Sequence, residues 1–199
     1  MARDDKIGHK IVLASTSPRR KEILSMFTGD FKIMAATNSE NVDPLGIPRI
    51  EVMTAALLKG LSVVQQCDSK ALILAADTVV YQDVILGKPG SRQEASEMLR
   101  ALSGRWHQVY TGYLLMDSHE RFPYVNYAVS EVKFFELSEA FIGWYVNTHE
   151  PLDKAGAYGI QGKGALLVEK IIGDYYNIMG LPIGKIHGDM LRRFNFKFF

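Results

Sequence analysis

Apolar residues along the chain fall into short runs and alternating segments, and both patterns are typical of strands. Compact apolar runs predict buried strands, and the run over residues 71–76 is the most apolar of them. Segments in which apolar and polar residues alternate predict antiparallel strands. The predicted strands are residues 11–14, 31–34, 71–76 with a continuation at 78–81, 84–86, 107–116, 126–135 and 164–172.

Helical periodicity with capping residues predicts helices between these strands. Ser91 and Glu94 form a capping box, and Gly104 is placed to close the helix that follows them. Ser138 is placed to cap another helix. The mixture of strands, helices and hairpins predicts an α/β sheet that is not purely parallel. The predicted helices are residues 21–27, 49–66, 92–102, 139–148 and 181–194.

Composition and charge narrow the class of protein. The 199 residues are 47% hydrophobic and 23% charged, which predicts one globular domain over 11–199 after a flexible leader over 1–10. A single cysteine, Cys67, excludes an intrachain disulfide and a cysteine-rich zinc site. The net charge of +1 argues against nucleic-acid binding, and no apolar stretch approaches the roughly 18 residues of a membrane span. We therefore expect a soluble, cytoplasmic protein that binds neither nucleic acid nor a membrane.

The start of the first helix carries an unusual charge pattern. Ser17 suits the N-cap and Pro18 the first helical position. Arg19, Arg20 and Lys21 then occupy the first turn, where the helix dipole disfavours positive charge. A bound phosphate would explain the three cations, because free N–H groups and arginines both bind anions. The alternative is a plain capped helix with exposed arginines.

Asp77 directly follows the most apolar predicted strand. Ligands in α/β sheets gather where strands end, and a carboxylate there can bind Mg²⁺ or act as a general base. Glu40 and Asp43, in a predicted loop, are candidates to complete a metal site with Asp77, and the alternative is that both are solvated carboxylates. For Asp77 itself, the alternative is an aspartate that begins a turn.

The stretch over 153–164 is rich in glycine and alanine. Small residues let the backbone approach a ligand, and Lys154, Gln161 and Lys163 add hydrogen-bond donors. The alternative is a flexible surface loop. Neither the phosphate-binding loop Gly-x-x-x-x-Gly-Lys-Ser/Thr nor a complete Gly-x-Gly-x-x-Gly is present.

Together these segments resemble the Maf family of nucleoside triphosphate pyrophosphatases. They occur in the family's order from about residue 11 to 190. The matching segments are LASTSPRR at 13–20, AADTV at 75–79, LGKP at 86–89, LSG at 102–104, VYTG at 109–112, DKAGAYGIQG at 153–162, VEKIIGDYYN at 168–177 and GLP at 180–182.

The resemblance implies a fold and an activity. The fold is an elongated α/β sheet with flanking helices in two lobes around a cleft, related to the inosine triphosphate pyrophosphatases, and the expected assembly is a homodimer. The activity is hydrolysis of a nucleoside triphosphate to the monophosphate and pyrophosphate with a divalent metal, Mg²⁺ or Mn²⁺. The expected substrates are dTTP and UTP, with modified pyrimidine nucleotides as further targets of nucleotide-pool house-cleaning.

The resemblance also assigns roles to single residues. Asp77 matches the catalytic acid/base, and it would hold the metal together with Glu40. Ser39 stands where many members have an aspartate before that glutamate. The positions that mark the dTTP/UTP branch hold Arg19, Thr78 and Gln161. The other polar positions that line the substrate cleft hold Ser15, Arg20, Lys59, Lys88 and Lys154.

The number of cations supports the same activity independently. A triphosphate carries about four negative charges near neutral pH, and a site must offset them with cations and metal. The two arginines and three lysines assigned to the cleft can supply that charge. A nucleotide-binding regulator of cell division without turnover is the alternative, because it needs the arginines but not Asp77 with a metal.

Overall fold

The computed structural model describes residues 10–37, 42–67 and 70–198, and within them the chain forms one mixed sheet with helices on both faces. The strands are β1 (Lys10–Leu13), β2 (Phe31–Ile33), β3 (Ala71–Gln82), β4 (Val84–Leu86), β5 (Trp106–Asp117), β6 (Tyr124–Phe134) and β7 (Val168–Ile172). The helices are α1 (Pro18–Ser25), α2 (Pro48–Val64), α3 (Arg92–Leu102), α4 (Glu139–Val146), α5 (Tyr175–Ile178) and α6 (Ile183–Phe194). Short 3-10 helices between α4 and β7 cover Glu150–Asp153, Ala155–Ala157 and Gly162–Leu167. In this part of the chain no helix is both long and apolar enough to cross a membrane.

The order and direction of the strands confirm the predicted α/β fold class. The strand order is β2-β1-β3-β5-β6-β7, and β4 pairs with the far end of β3. β1 runs parallel to β2 and β3, whereas β3, β5, β6 and β7 form an antiparallel series. Lys10, predicted as the last residue of the leader, opens β1. The rest of the predicted leader, residues 1–9, lies outside the described residues.

Alternate residues of β3 point to different helices, and this alternation divides the core into layers. The even-numbered residues 72–76 pack in the cluster that α1 and α6 cover. The odd-numbered residues 71–75 pack in the cluster that α2 covers. Farther along the strand, Val80 joins a third cluster under α3 and α4. Two helix-covered lobes therefore share the long strands β3, β5 and β6, as the predicted architecture requires.

The predicted helix starts are confirmed. Pro18 is the first residue of α1. The Ser91 hydroxyl accepts a hydrogen bond from the Glu94 N–H at 3.1 Å, and Ser138 caps α4 in the same way. The Glu94 carboxylate accepts from the Gly90 N–H at 2.7 Å, whereas the capping box places this bond on Ser91. Capping residues therefore fix helix starts even where one partner shifts by a residue.

The prediction that the strand ends at Asp77 is wrong. β3 continues without a break to Gln82, and Asp77 stays in the ladder opposite Gly112 of β5. The ladder is made by main-chain groups, so a charged side chain interrupts the apolar pattern without interrupting the strand.

The prediction of a strand over 164–172 is wrong in its first half. Gly162–Leu167 is a 3-10 helix, and β7 begins only at Val168. The Glu150 carboxylate accepts hydrogen bonds from the N–H groups of Lys163 at 3.2 Å and Gly164 at 3.4 Å. These donors are therefore satisfied by a side chain and need no neighbouring strand. The short helix α5 was not predicted.

Two glycines let α2 lie close against the sheet. A Cβ on Gly112 of β5 would collide with the main chain of Val52 in α2, and a Cβ on Gly60 of α2 would collide with the Leu114 side chain. The helix and the sheet therefore approach more closely than larger residues would allow. This approach matters for the cleft, because Lys59 precedes Gly60.

A buried histidine lies in the core under α3 and α4. The His107 ring packs edge-on against Phe134 and Tyr158, with ring centroids 4.8 and 5.3 Å apart, and its Nε2 lies 2.8 Å from the Tyr158 hydroxyl. Burial lowers the pKa of His107 from 6.5 to about 4, because the charged ring would lose its hydration. The ring is therefore neutral in the folded protein at neutral pH.

We expect Gly112→Ala to lower the free energy of unfolding by about 1–3 kcal/mol, because the added methyl group must push α2 away from β5. The control is Gly143→Ala in α4, where a Cβ meets no atom within 4 Å. This control should raise the free energy of unfolding by up to about 1 kcal/mol, since alanine is the better helix former. Urea unfolding of both variants measures the difference. Equal stability of Gly112→Ala and wild type would contradict the close contact.

We expect the protein to lose stability as the pH falls from about 6.5 to about 4. In this range the unfolded chain binds a proton at His107 and the folded chain does not, so each step down in pH favours unfolding. The full loss from this group is about 3 kcal/mol. Urea unfolding at several pH values should show a shallower dependence for His107→Gln than for wild type, while His119→Gln, at an exposed position, should follow wild type. Equal slopes for all three proteins would contradict the neutral buried ring.

Candidate active site

A cleft opens beside the middle of the long strand β3, where one side of β3 is not paired with another described strand. β1 pairs with residues 71–74 of β3 and β4 pairs with residues 80–82, so among the described residues no strand flanks 75–79 on that side. On the other side, β5 pairs with β3 along this whole stretch. The opening leads into a cleft of about 910 Å³. The main chain at Asp77 therefore lies at the edge of the sheet although its strand does not end there.

Nine of the ten residues that the resemblance assigns to the site line this cleft. They come from the loop between β1 and α1, from the first turn of α1, from α2, from the middle of β3, and from the segments after β4 and α4. The nine are Ser15, Arg19, Arg20, Lys59, Asp77, Thr78, Lys88, Lys154 and Gln161. The tenth, Glu40, lies outside the residues that the structure describes.

Asp77 faces α2 and forms an ion pair with Lys59. Lys59 Nζ lies 2.5 Å from Asp77 Oδ1, and the two side chains are only 9% and 7% exposed. Burying either charge alone would be strongly unfavourable, so each group stabilises the other in this position. The second carboxylate oxygen, Oδ2, makes no hydrogen bond to a described residue. The pair therefore leaves one oxygen of a fixed carboxylate available to a ligand in the cleft.

Thr78, the next residue of β3, points to the opposite face of the sheet and contacts Arg20. The guanidinium of Arg20 is buried and donates to the Gly180 carbonyl at 2.9 Å, to Thr78 Oγ1 at 3.2 Å and to Ser15 Oγ at 3.4 Å. Ser15 Oγ also accepts from the Ser17 N–H at 3.1 Å. These three oxygens are uncharged, and together they orient the guanidinium.

The start of α1 keeps the features that favour an anion. Ser17 occupies the N-cap, but its side chain makes no capping hydrogen bond, and the first turn holds no acidic residue. Arg20 is buried and the Arg19 side chain is 30% exposed, so neither matches the freely exposed arginines of a plain capped helix. Both arginines line the cleft.

The glycine-rich stretch over 153–164 packs along the cleft. Gly156 has a φ of +65°, and a Cβ on it would collide with Val80 of β3. The contact between Glu150 and the N–H groups of Lys163 and Gly164 fixes the far end of the stretch. Gln161 therefore belongs to a segment that side chains hold in place, not to a loose surface loop.

Carboxylates line the cleft beside the cations. Asp153 lies 3.5 Å from Arg19 and 2.6 Å from Lys154. Partial burial raises the pKa of Asp153, but hydrogen bonding and charge from Lys154, with the charge of Arg19, bring it below its ordinary value. The carboxylate is therefore ionised at neutral pH. A polyphosphate that binds Arg19 and Lys154 would have to compete with Asp153, which the charge count from the sequence did not include.

The donor set for a divalent metal is small in the described part of the cleft. Among the described residues, no three His, Cys, Asp or Glu side chains cluster as metal ligands. Asp77 Oδ2 is one candidate oxygen ligand, and the predicted partner Glu40 lies outside the described residues. Mg²⁺ usually takes only one or two carboxylates and completes its shell with substrate phosphates and water. Asp77 fits such an ion in the presence of a phosphate ligand.

Two polar residues near the cleft carry no role in the sequence analysis. Thr111 Oγ1 lies 2.9 Å from Thr78 Oγ1 and donates to the Asn177 carbonyl at 2.9 Å. Both residues lie in segments that carry the family resemblance, 109–112 and 168–177, so a signal for them was present. The contact between Thr111 and Thr78 could not be deduced, because 33 residues of chain separate the two.

Comparison with known proteins gives one family and consistent relatives. The family model described as Maf-like protein matches residues 10–194. A dTTP/UTP pyrophosphatase of Alkaliphilus metalliredigens (strain QYMF) is 43% identical over 184 residues, which cover 92% of this chain and 95% of the relative. One of Thermococcus kodakarensis is 49% identical over 174 residues, covering 87% and 91%. One of Bacillus cereus (strain G9842) is 46% identical over 178 residues, covering 89% and 92%.

Solved structures resemble the chain more weakly. A HAM1 protein from Coxiella burnetii is 19% identical with a TM-score of 0.45, covering 75% of this chain and 86% of that chain. A nucleoside-triphosphatase / dITP/XTP pyrophosphatase from Mycobacterium abscessus is 16% identical with a TM-score of 0.43, covering 64% and 74%.

Proposed function

The chain belongs to the Maf-like protein family, and we propose that it hydrolyses nucleoside triphosphates, dTTP and UTP above all, to the monophosphate and pyrophosphate. The observation that carries the proposal is the position and pairing of the Asp77 carboxylate. One of its oxygens is held by buried Lys59, and the other is available in a cleft that arginines and lysines also line. We extend the proposal to modified pyrimidine triphosphates, whose removal would be a house-cleaning role.

In the proposed reaction Asp77 acts as a general base. Its Oδ2 would accept a proton from a water molecule, whose oxygen attacks one of the two phosphorus atoms that flank the α,β-bridging oxygen. The bond between that phosphorus and the bridging oxygen breaks, which releases the monophosphate and pyrophosphate in a single step. Lys59 would keep the carboxylate in place throughout, because its ammonium group is fixed at 2.5 Å from Oδ1.

The cations of the cleft would bind the triphosphate. Arg20 presents a guanidinium that neutral oxygens already orient, and such a group binds phosphate oxygens in pairs. Arg19 and Lys154 would exchange their contact with Asp153 for a contact with phosphate. Lys88, in the segment after β4, adds a further cation to the lining of the cleft.

We also propose that the reaction needs a divalent cation, Mg²⁺ or Mn²⁺, held by Asp77 and Glu40 together with phosphate oxygens. Such an ion, when bound, offsets phosphate charge and polarises the phosphoryl oxygens. Oδ2 of Asp77 makes no hydrogen bond to a described residue and has two lone pairs, so one would hold the ion while the other receives the proton.

The proposed preference for thymine and uracil depends on Gln161. Its amide offers both a donor and an acceptor, which suits the alternating C=O, N–H, C=O edge of these bases. The Thr78 hydroxyl is occupied by Arg20 and Thr111, so Thr78 would act on substrate through Arg20. A site built to pair one edge rejects bases with another pattern, because its own polar groups then stay unpaired.

We expect Asp77→Asn to lower kcat by about 10²–10⁴-fold, because the amide has the same shape but cannot accept the proton. The control is Asp83→Asn at the exposed turn between β3 and β4, which should keep wild-type turnover. The assay measures pyrophosphate and orthophosphate released from UTP and dTTP with Mg²⁺ and after chelation by EDTA. Near-wild-type turnover of Asp77→Asn would remove Asp77 from the mechanism, and binding without any turnover of wild type would favour the regulatory alternative.

We expect higher kcat/KM for dTTP, UTP and 5-substituted uridine triphosphates than for ATP and GTP. Gln161→Glu should lower kcat/KM for UTP by at least about tenfold, because a carboxylate offers acceptors only. Gln93→Glu, on the exposed start of α3, serves as the control and should not change it. Equal cleavage of ATP, GTP and UTP by wild type would contradict the assigned selectivity and leave the family membership intact.

A further inference from the structure

A directed chain of hydrogen bonds runs from Arg20 across the sheet. Thr111 Oγ1 lies 2.9 Å from the Asn177 carbonyl, which can only accept, so the single proton of the Thr111 hydroxyl is donated there. The bond between the two threonine hydroxyls, also 2.9 Å, must then be donated by Thr78. With its proton committed, Thr78 Oγ1 turns lone pairs toward the Arg20 guanidinium, which can only donate.

Both ends of this hydrogen-bond chain lead to carbonyl groups of the segment 177–180. Arg20 Nε donates to the carbonyl of Gly180, and the threonine pair ends on the carbonyl of Asn177. The Asn177 side chain in turn donates to the Val109 carbonyl and to Ser130 Oγ, each at 3.0 Å. The segment 177–180 is therefore attached to strands β5 and β6, and it fixes the guanidinium along two separate routes.

From this geometry we propose that Thr111 is a positioning residue for triphosphate binding, acting through Thr78 on Arg20. Thr111 is fully buried, so it does not touch substrate. It determines which way the Thr78 hydroxyl points, and the Thr78 hydroxyl is one of the three oxygens that orient the plane of the guanidinium. A guanidinium binds two phosphate oxygens at once only when its plane is set correctly. The inference rests on the proposed function for its consequence, and its structural part is independent of turnover.

Without the Thr111 hydroxyl, the Thr78 proton has lost its acceptor. The Thr78 hydroxyl can then rotate. In orientations that point its proton at Arg20, the hydrogen bond between the two groups is replaced by repulsion between two donors. The Arg20 guanidinium would keep its bonds to Gly180 and Ser15 but lose the bond that its other terminal nitrogen makes to Thr78. Substrate binding should suffer more than the chemical step, because Asp77 and Lys59 face the other side of the sheet.

The test uses the full-length chain with three substitutions at one position. Thr111→Val removes the hydroxyl with little change of shape, Thr111→Ser keeps the hydroxyl, and Thr111→Cys keeps the size with a weak hydrogen-bonding group. Ile142→Val, at a buried position of α4, controls for a mild loss of stability. If Thr111→Val does not fold, Thr111→Cys carries the test and should fall between Thr111→Val and wild type.

The first measurement is the ¹⁵N-correlated NMR signal of the Arg20 Nε–H, assigned by its loss in Arg20→Lys. We expect the signal to shift or broaden in Thr111→Val and to persist in Thr111→Ser and Ile142→Val. The Nε–H of Arg100, which donates to Glu139 at 2.7 Å, is the internal reference and should not change. An unchanged Arg20 signal in Thr111→Val, or in Thr111→Cys where only that variant folds, would overturn the proposal without reference to activity.

The second measurement is the kinetics of UTP and dTTP hydrolysis. We expect Thr111→Val to raise KM about tenfold with kcat within about threefold of wild type, and Thr111→Ser to restore KM. In an Arg20→Ala background, Thr111→Val should raise KM no further, because the group it positions is gone. Additive effects, or a KM change equal to that of Ile142→Val, would overturn the proposal. If wild type hydrolyses none of the triphosphates, the proposed function fails, and the NMR result still decides whether Thr111 positions Arg20.

Discussion

The site depends on a strand that continues where its neighbours stop. β3 pairs with β5 from Leu72 to Tyr81, while on its other side β1 ends opposite Leu74 and the pairing with β4 covers only Val80–Gln82. A second complete ladder would have covered the main chain between them. With one ladder, the backbone around Asp77 is held rigidly and is still open to the cleft. Side chains placed by a strand in this way are positioned more precisely than side chains on a free loop.

Strand geometry then determines how two kinds of chemistry are related in space. Consecutive residues of a strand point to opposite faces, so Asp77 reaches α2 and Lys59 while Thr78 reaches Arg20 at the start of α1. The carboxylate proposed to accept a proton therefore belongs to one residue, and the hydroxyl that contacts the proposed phosphate-binding guanidinium belongs to the next. Gly112, opposite Asp77, lets α2 lie close to the sheet, and Lys59 of α2 contacts the Asp77 carboxylate. Helix packing and catalysis therefore depend on the same short stretch of sheet.

Carboxylates contact three cations of the cleft before any substrate binds. Lys59 is paired with Asp77, and Asp153 contacts both Arg19 and Lys154. Burying the Lys59 charge without a partner would cost several kcal/mol, so Asp77 stabilises it strongly. Asp153, in contrast, is 64% exposed, and its contacts with Arg19 and Lys154 are weaker and screened by solvent. A phosphate chain displaces Asp153 only if it binds Arg19 and Lys154 more strongly than Asp153 does. This competition favours ligands with several negative charges, and it favours a triphosphate over the monophosphate product of the proposed reaction.

The sequence determined the features that depend on neighbouring residues. It predicted the helix starts at Pro18, Ser91 and Ser138, because caps act within one turn, and the motifs it shares with one family pointed to nine residues that line the cleft. The tertiary structure decided the features that depend on distant partners. It kept Asp77 inside a strand because β5 supplies the ladder, and it made 162–167 a 3-10 helix because Glu150 accepts the N–H groups there. It also joined Thr111 to Thr78 and Lys59 to Asp77. A local pattern records the propensity of a segment, whereas a hydrogen bond between residues far apart in the chain exists only after the sheet has formed.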